Sequence, residues 1–225
     1  MVLVRKSIII ALALICAVAS AQDKKSDWAQ FYRYSAANAT IEKRPKAVLM
    51  GDSITDNWLK QRPEFFRAYN LAGRGISGQT SSEMLVRFRR DVLDLKPKYV
   101  LILAGTNDCA ENNGKMAPEN TLGNIVSMCE IAKRHRIKPV ICSVLPVGSF
   151  RWRPEVRDAT ERVIYLNSLL RDYAQKNRIP YLDYFVLMAD ENGALPEHLS
   201  SDSVHPNGAG YDIMEDAVKA FLKLK

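Results

Sequence analysis

The sequence has few of the residues that build metal sites and disulfide frameworks. It contains four cysteines and three histidines in 225 residues, with no Cys-x-x-Cys pair and no cluster spaced like zinc ligands. Three cysteines, Cys109, Cys129 and Cys142, lie beyond the first 21 residues, and an odd number allows at most one disulfide bond among them. No metal site or disulfide scaffold is therefore predicted, and Cys142 is expected in a buried strand.

Blocks of like charge are also missing. The 32 basic residues are interspersed with 25 acidic ones, and no stripe alternates aromatic with basic side chains. This distribution is typical of a solubilising surface rather than of a groove for a nucleic acid strand. We therefore expect no nucleic-acid partner. Internal repeats and low-complexity segments are absent as well.

The apolar run at the start of the chain is too short for a membrane span. Arg5–Lys6 precede the run Ile8 to Val18, and the small-x-small triplet Ala19–Ala21 follows it. This layout predicts a secretory signal peptide that is cleaved after Ala21. A membrane anchor is disfavoured because a spanning helix needs roughly 20 apolar residues. Lipid anchoring at Cys16 is disfavoured because the preceding residue is not small. A secreted or periplasmic protein without stable membrane insertion is expected.

The rest of the chain is long enough for one domain with its own core. We expect a signal peptide over residues 1–21 and a polar lead-in with some helix over 22–46. The folded domain is expected to occupy residues 47–225.

Short apolar runs alternate with amphipathic stretches along that domain. Helical spacing appears in three central segments and in one near the end of the chain. This alternation predicts an α/β fold, a three-layer α/β/α sandwich around a parallel sheet of about five strands. The predicted strands are Ala47–Met50, Ala68–Ala72, Tyr99–Leu103, Val140–Leu145 and Tyr181–Tyr184.

Ligands of open parallel sheets bind beyond the carboxyl ends of the strands. Four loops follow predicted strand ends and should carry the chemistry. They span residues 51–56, 73–80, 105–113 and 146–154.

Of the three histidines, His205 has the best setting for a general base. His135 lies among basic residues at a helix end, and His198 has no obvious orienting partner. Asp202 precedes His205 by three residues, and a turn can bring that carboxylate to the imidazole and set its tautomer. An Asp-x-x-His taken alone is nevertheless common.

Ser53 stands directly after a predicted strand end, in Gly51-Asp52-Ser53. A glycine allows a sharp turn there, and the free N–H groups of a helix that starts at this point would face the same crevice. The alternative is that Ser53 or Asp52 merely caps that helix.

Four short blocks together resemble the SGNH hydrolases, also called the GDSL esterase and lipase family. They occur in the expected order, and the similarity extends from Ala47 to Leu222. The blocks are Gly51-Asp52-Ser53, Gly75-Ile76-Ser77-Gly78, Gly105-Thr106-Asn107-Asp108 and Asp202-Ser203-Val204-His205.

The resemblance implies a role for each matching residue. Ser53 would be the nucleophile and His205 the base and acid, oriented by Asp202. The oxyanion hole would combine the backbone N–H groups of Ser53 and Gly78 with the side-chain amide of Asn107, since preorganised donors stabilise the charge of the tetrahedral intermediate. No metal or organic cofactor is implied. Asn107 could alternatively bond only its own turn.

Two features depart from this pattern or compete with it. Gln79 stands where many relatives carry an acid, which should affect loop packing more than chemistry. Gly73–Gly78 also reads as the Gly-x-Gly-x-x-Gly of dinucleotide-binding proteins. The acid expected at the end of the following strand is absent, because Leu103 is followed by Ala104 and Gly105.

Candidate substrate contacts are Asp52, Arg151 and Trp152. A tryptophan between Arg151 and Arg153 could stack on a sugar ring or could fold back onto the core. The chain has no long apolar flap, so small acyl groups are expected rather than long lipid chains.

We therefore predict an exported serine esterase that acts on a small-molecule or carbohydrate ester through an acyl-enzyme. Deacetylation of a carbohydrate is the favoured setting. Acyl transfer, thioester hydrolysis and lysophospholipid hydrolysis would use the same residues. A non-catalytic carbohydrate-binding protein on the same fold is the alternative from another class, and the oligomeric state stays open.

Overall fold

The computed structural model describes residues 27–224. Its centre is a sheet of five parallel strands in the order β2-β1-β3-β4-β5. The sheet confirms the predicted α/β fold, whereas the predicted signal peptide, with Cys16, lies outside the described residues. The strands are β1 (Ala47–Gly51), β2 (Leu71–Gly75), β3 (Tyr99–Ile102), β4 (Lys138–Cys142) and β5 (Tyr181–Leu182).

Helices cover both faces of the sheet and include all four segments with predicted helical spacing. A π-helical turn, Arg89–Leu93, extends the fourth helix. The helices are α1 (Ser35–Ala39), α2 (Ser53–Gln61), α3 (Pro63–Ala68), α4 (Ser81–Phe88), α5 (Thr106–Cys109), α6 (Pro118–Arg134), α7 (Ala159–Lys176), α8 (Tyr184–Met188) and α9 (Gly208–Leu222).

The core has two halves, one on each face of the sheet, because successive strand residues point to opposite sides. Val48 and Met50 of β1 face α4, α6 and α7. Ala47 and Leu49 face α2, α3, α8 and α9. All five residues of β1 are buried, as expected for a central strand covered on both sides.

Strand β2 begins three residues later than predicted and runs through Gly73, which was expected to end it. Gly73 pairs with Leu49 of β1. A Cβ at Gly73 would lie 3.1 Å from side-chain atoms of both Leu59 and Phe66. The missing side chain lets α2 and α3 pack closely onto the strand, so Gly73 serves packing rather than a turn.

Strand β4 also differs from its prediction, because it starts at Lys138 and includes Pro139. The neighbouring strand β5 pairs with β4 only at Ile141 and Cys142. Pro139 therefore lies where β4 has no partner on that side, and its missing N–H costs no ladder hydrogen bond.

The three cysteines of the described region are buried and form no disulfide bond. Burial raises the pKa of the Cys109 and Cys129 thiols to about 12, so both remain protonated and unreactive at neutral pH. Within residues 27–224, no helix is both long enough and apolar enough to cross a bilayer. That part of the chain also contains no cluster of three metal-binding side chains.

Candidate active site

Ser53 is the first residue of α2, immediately beyond the carboxyl end of β1. The helix starts here because the Asp52 carboxylate accepts a hydrogen bond of 3.0 Å from the Ile54 N–H. The first N–H groups of a helix have no partner within it. The Ser53 hydroxyl and its own N–H thus stand at the edge of the sheet where ligands of this fold class bind.

His205 is held by a tight turn that Asp202 organises. One oxygen of Asp202 accepts the backbone N–H groups of Val204 at 3.0 Å and of His205 at 2.7 Å. The other oxygen lies 2.6 Å from His205 Nδ1. Ser203 adopts a left-handed conformation (φ 67°) that closes the turn. The three-residue step does bring carboxylate and imidazole together.

Ser53 Oγ lies 2.8 Å from His205 Nε2, although the two residues are 152 positions apart in the chain. A hydroxyl, an imidazole and a carboxylate are therefore hydrogen-bonded in series. The structure places all three predicted catalytic residues in one contact chain.

The charge of Asp202 determines which ring nitrogen of His205 carries the proton. Partial burial opposes ionisation of the carboxyl, but hydrogen bonds from the His205 and Val204 N–H groups and from the His205 ring outweigh it. The pKa of Asp202 is lowered to about 2. The ionised carboxylate favours the imidazole tautomer with its proton on Nδ1, which leaves Nε2 free to accept the Ser53 proton.

Gly78 lies in the turn after β2, and Asn107 lies in the short helix α5 after β3, at the same edge of the sheet. Gly78 has a left-handed backbone (φ 82°), and its N–H donates no hydrogen bond to another residue between 27 and 224. The Asn107 amide nitrogen donates to the Gln79 carbonyl at 3.0 Å and lies 3.4 Å from an Asp52 oxygen. The amide is thus held between the loop of Gly78 and the residue before Ser53.

Asp52 is only 1% exposed, which makes its predicted contact with substrate wrong. Its carboxylate caps α2 below Ser53. Burial raises the pKa of Asp52 to about 6, against the opposing hydrogen bond from Ile54 and the nearby His205. The helix-capping alternative describes the position of this residue.

Trp152 and Arg151 lie on the loop beside His205. The Trp152 ring is 43% exposed, with its centroid 6.4 Å from that of the His205 ring and 5.4 Å from that of the buried Phe150. Arg151 is exposed. The tryptophan therefore borders the site and keeps one surface open, instead of folding entirely into the core.

A buried arginine under the site was not found by sequence reasoning. Arg87 is completely buried and donates to Asp91 at 2.9 Å, to the carbonyls of Gly51 and Arg74 at 3.0 Å each, and to the Gln79 side chain at 2.5 Å. It ties together the ends of β1 and β2 and the Gly78 loop. Its position between Met84 and Phe88, on the core side of α4, was the available signal.

The N-terminal segment also supports this edge. The Gln79 amide donates to the Ala29 carbonyl at 3.0 Å, and the Tyr34 hydroxyl donates to the Gly75 carbonyl. Gln79 is buried, and its side chain joins the loop of Gly78 to the N-terminal segment. Gly75 belongs to β2 and contacts α2, so the Gly-x-Gly-x-x-Gly stretch does not form a phosphate-binding turn before a helix.

A hydroxyl, an imidazole and a carboxylate in this relation are the constellation of serine hydrolases. The chain belongs to the GDSL-like Lipase/Acylhydrolase family, whose model matches residues 49–213. It is accordingly an enzyme that hydrolyses ester bonds. The resemblance seen in the four sequence blocks is confirmed.

Known proteins agree with the family assignment. A GDSL-like lipase from Bacteroides thetaiotaomicron is 44% identical, covers 88% of this chain and 98% of its own, and superposes with a TM-score of 0.84. The isoamyl acetate-hydrolyzing esterase of Saccharomyces cerevisiae is 24% identical over 76% of this chain and 83% of its own length.

Two further similarities are narrower. An acetylxylan esterase from Geobacillus stearothermophilus has 19% identity and a TM-score of 0.64, with 82% of this chain and 97% of the other covered, and shows the shared fold. The lipoprotein YqeF of Bacillus subtilis is 37% identical over 35% of this chain, and the match spans 33% of that protein.

Proposed function

We propose that this protein is an exported esterase that releases small acyl groups, above all acetyl, from a carbohydrate alcohol through an acyl-enzyme on Ser53. The observation that carries the proposal is the 2.8 Å contact between Ser53 Oγ and His205 Nε2. The family assignment supports ester hydrolysis, and the proposal adds the residue roles, the acyl group, the alcohol and the export.

In the first half-reaction His205 Nε2 takes the proton of Ser53 as Oγ attacks the ester carbonyl. The carbonyl oxygen becomes an oxyanion, which the N–H groups of Ser53, Gly78 and the Asn107 side chain stabilise. His205 then protonates the leaving alcohol oxygen as the ester C–O bond breaks. The alcohol departs, and the acyl group stays on Ser53.

In the second half-reaction a water molecule attacks the acyl-enzyme. His205 accepts the proton of the water, and the same donors stabilise the second oxyanion. Collapse of this intermediate returns the proton to Ser53 and releases the carboxylic acid. Asp202 remains ionised throughout and stabilises the imidazolium in both halves.

The surroundings of His205 support a sugar rather than a long acyl chain. An exposed indole next to the base offers a flat apolar face of the kind that stacks on a sugar ring, and Arg151 beside it is exposed and cationic. Acetate esters are also what the yeast relative hydrolyses by name. A protein of the same fold from Geobacillus stearothermophilus is an acetylxylan esterase by name.

The Ser53→Ala variant tests the catalytic assignment. It should fold like the wild type and lose at least about a thousandfold in kcat/KM, because it lacks the nucleophile. The measurement is hydrolysis of p-nitrophenyl esters from acetate to palmitate and of acetylated sugars, with circular dichroism as the folding control. We expect acetate to be the preferred chain length.

Three outcomes would contradict parts of this proposal. Retained activity in Ser53→Ala would remove the nucleophile assignment. A preference for long chains or lysophospholipids would replace the substrate class. A wild-type protein that hydrolyses no ester and is not labelled at Ser53 by a fluorophosphonate would be a binding protein.

Export has its own test. The first 21 residues have the layout of a signal peptide. Expression of the full chain in a bacterial host should place the protein outside the cytoplasm with Gln22 as its first residue. Mass spectrometry of the purified protein decides this, and a chain that retains residues 1–21 would contradict it.

A further inference from the structure

Asn112, in the turn after α5, is bonded through both ends of its side chain to groups at the site. Its amide nitrogen donates to Asn107 Oδ1 at 2.6 Å. Its carbonyl oxygen accepts the indole N–H of Trp152 at 2.9 Å. One partly buried side chain therefore links the proposed oxyanion donor to the aromatic ring beside His205.

The first of these contacts acts together with two others to fix the orientation of the Asn107 amide. The Asn107 nitrogen lies against two acceptors, the Gln79 carbonyl at 3.0 Å and an Asp52 oxygen at 3.4 Å. Its oxygen lies against the donor of Asn112. If the amide were flipped, its oxygen would face the Gln79 and Asp52 oxygens, and its nitrogen would face the Asn112 nitrogen. Only the N–H end can stabilise an oxyanion.

The second contact holds the Trp152 ring. This ring packs on Phe150 on one side and is 43% exposed, so its position depends on few neighbours. The bond to Asn112 fixes the polar edge of the indole while the ring borders His205, with 6.4 Å between the ring centroids.

We propose that Asn112 is a positioning residue that orients the Asn107 amide toward the oxyanion and holds Trp152 as a wall of the alcohol side of the site. This inference rests on the proposed function, since it assigns Asn107 to the oxyanion hole. It predicts that the two bonds of Asn112 affect different kinetic constants.

The Asn112→Asp variant separates the two bonds. A carboxylate still accepts the Trp152 N–H, but it cannot donate to Asn107 and repels the Asn107 oxygen. Neither orientation of the Asn107 amide is then satisfied, because a flip would set its oxygen against the Gln79 carbonyl and the Asp52 oxygen. The amide is therefore displaced from its position, which weakens one oxyanion donor. We expect kcat on an acetate ester to fall about 10- to 100-fold, below the loss of about 100- to 1,000-fold for deleting a donor outright, with KM little changed.

The Trp152→Phe variant cuts the other bond, because it keeps a ring and lacks the N–H. It should raise KM for an acetylated sugar severalfold and leave kcat nearly unchanged.

The matched control for the negative charge that Asn112→Asp adds is Asn120→Asp. Asn120 is exposed in the first turn of α6, and its variant should have the kcat and KM of the wild type.

The decisive comparison uses the Asn107→Ala background. If Asn112 acts through Asn107, the Asn107→Ala/Asn112→Asp double variant should have the kcat of Asn107→Ala within about twofold, since the effects of residues that act as a unit are not additive. An equal loss of kcat in both backgrounds would overturn the proposal.

A second readout covers an Asn107→Ala protein that does not fold. In that case the single variant Asn112→Asp decides. A rise of KM with unchanged kcat would overturn the proposal, and a fall of kcat with unchanged KM would support it. An inactive wild-type protein would instead remove the proposed function itself. The two failures are therefore distinguishable from the first assay onward.

Discussion

Two aspartates close to the same histidine have opposite pKa shifts, and their surroundings explain the difference. Asp52 is buried and accepts one backbone N–H bond of 3.0 Å, so desolvation dominates and its pKa rises to about 6. Asp202 is partly exposed and accepts two backbone N–H groups and the imidazole, so its pKa falls to about 2. The two carboxyl groups thus ionise at different pH because they differ in burial and in the number of hydrogen-bond donors around them.

The raised pKa of Asp52 predicts a stability effect. The folded protein binds this proton more tightly than the unfolded chain, whose carboxyl has the ordinary value of 3.8. Between about pH 4 and pH 7 the free energy of unfolding therefore loses up to about 3 kcal/mol through Asp52 as the pH rises. Asn does not titrate, so the stability of Asp52→Asn relative to wild type should increase by up to that amount over the same window.

Urea unfolding of Asp52→Asn and of the wild type at several pH values measures how their difference in free energy of unfolding changes with pH. This change does not depend on any constant cost of the substitution. Asp202→Asn is the control of opposite sign. A carboxyl with a lowered pKa stabilises the fold above the unfolded pKa and loses that effect as the pH falls from about 4 to 2. A constant difference between Asp52→Asn and wild type would contradict the burial argument.

At the scale of elements, the position of Ser53 depends on how closely α2 approaches β2. A Cβ at Gly75 would lie 2.2 Å from the Asp56 nitrogen and 2.6 Å from the Asp52 carbonyl oxygen. Both are backbone atoms of the first turn of α2 or its cap, and they cannot move without the helix. The glycine is needed for this approach of two backbones.

Two glycine substitutions with opposite outcomes test this contact. Gly75→Ala should lower the free energy of unfolding by at least about 2 kcal/mol, because overpacking forces a backbone shift, and should lower kcat/KM by moving Ser53. Gly123→Ala, inside α6 with open space around the added methyl group, should gain about 0.5–1 kcal/mol from helix propensity at unchanged activity. Thermal unfolding and ester hydrolysis measure both. A Gly75→Ala protein as active and stable as wild type would refute the close approach.

At the scale of the whole molecule, the parallel sheet has the candidate active site at one edge and a group of basic residues at the opposite edge. Basic residues stand shortly before or at the first residue of four strands. Parallel strands bring these positions to one edge, opposite the loops of the candidate active site. They are Lys46, Lys98, Lys138 and Arg178. Among residues 27–224, none of these four forms an ion pair with a carboxylate. The fold thus turns interspersed charges into a cationic edge.

The cationic edge should dominate binding to an anionic surface. Lys98→Glu/Lys138→Glu should elute from a cation exchanger at a lower salt concentration than Lys115→Glu/Arg157→Glu, although both double variants have the same net charge. Clustered charges produce a stronger local potential than dispersed ones. Ester hydrolysis by Lys98→Glu/Lys138→Glu should match the wild type. Elution of the two double variants at the same salt concentration would show that the edge does not act as a cluster.

Much of the architecture follows from local patterns in the sequence. The alternation of apolar runs and helical spacing is enough to predict a parallel sheet with helices on both faces. Ser53, Gly78 and Asn107 could be placed on one edge in advance because each follows a strand. The weaker predictions concern glycine and proline: β2 runs through Gly73, and β4 includes Pro139, because neighbouring elements decide whether these residues end a strand.

The residues proposed to react were thus selected from the sequence alone, since residue types and their order along the strands are local information. The tertiary structure decided that Asp52 is a buried cap, that Arg87 joins three loops and that Asn112 bonds both Asn107 and Trp152. It also decided that scattered cations meet at one edge. Each of these depends on contacts between segments far apart in the chain, and such contacts exist only once the sheet and its helices have packed.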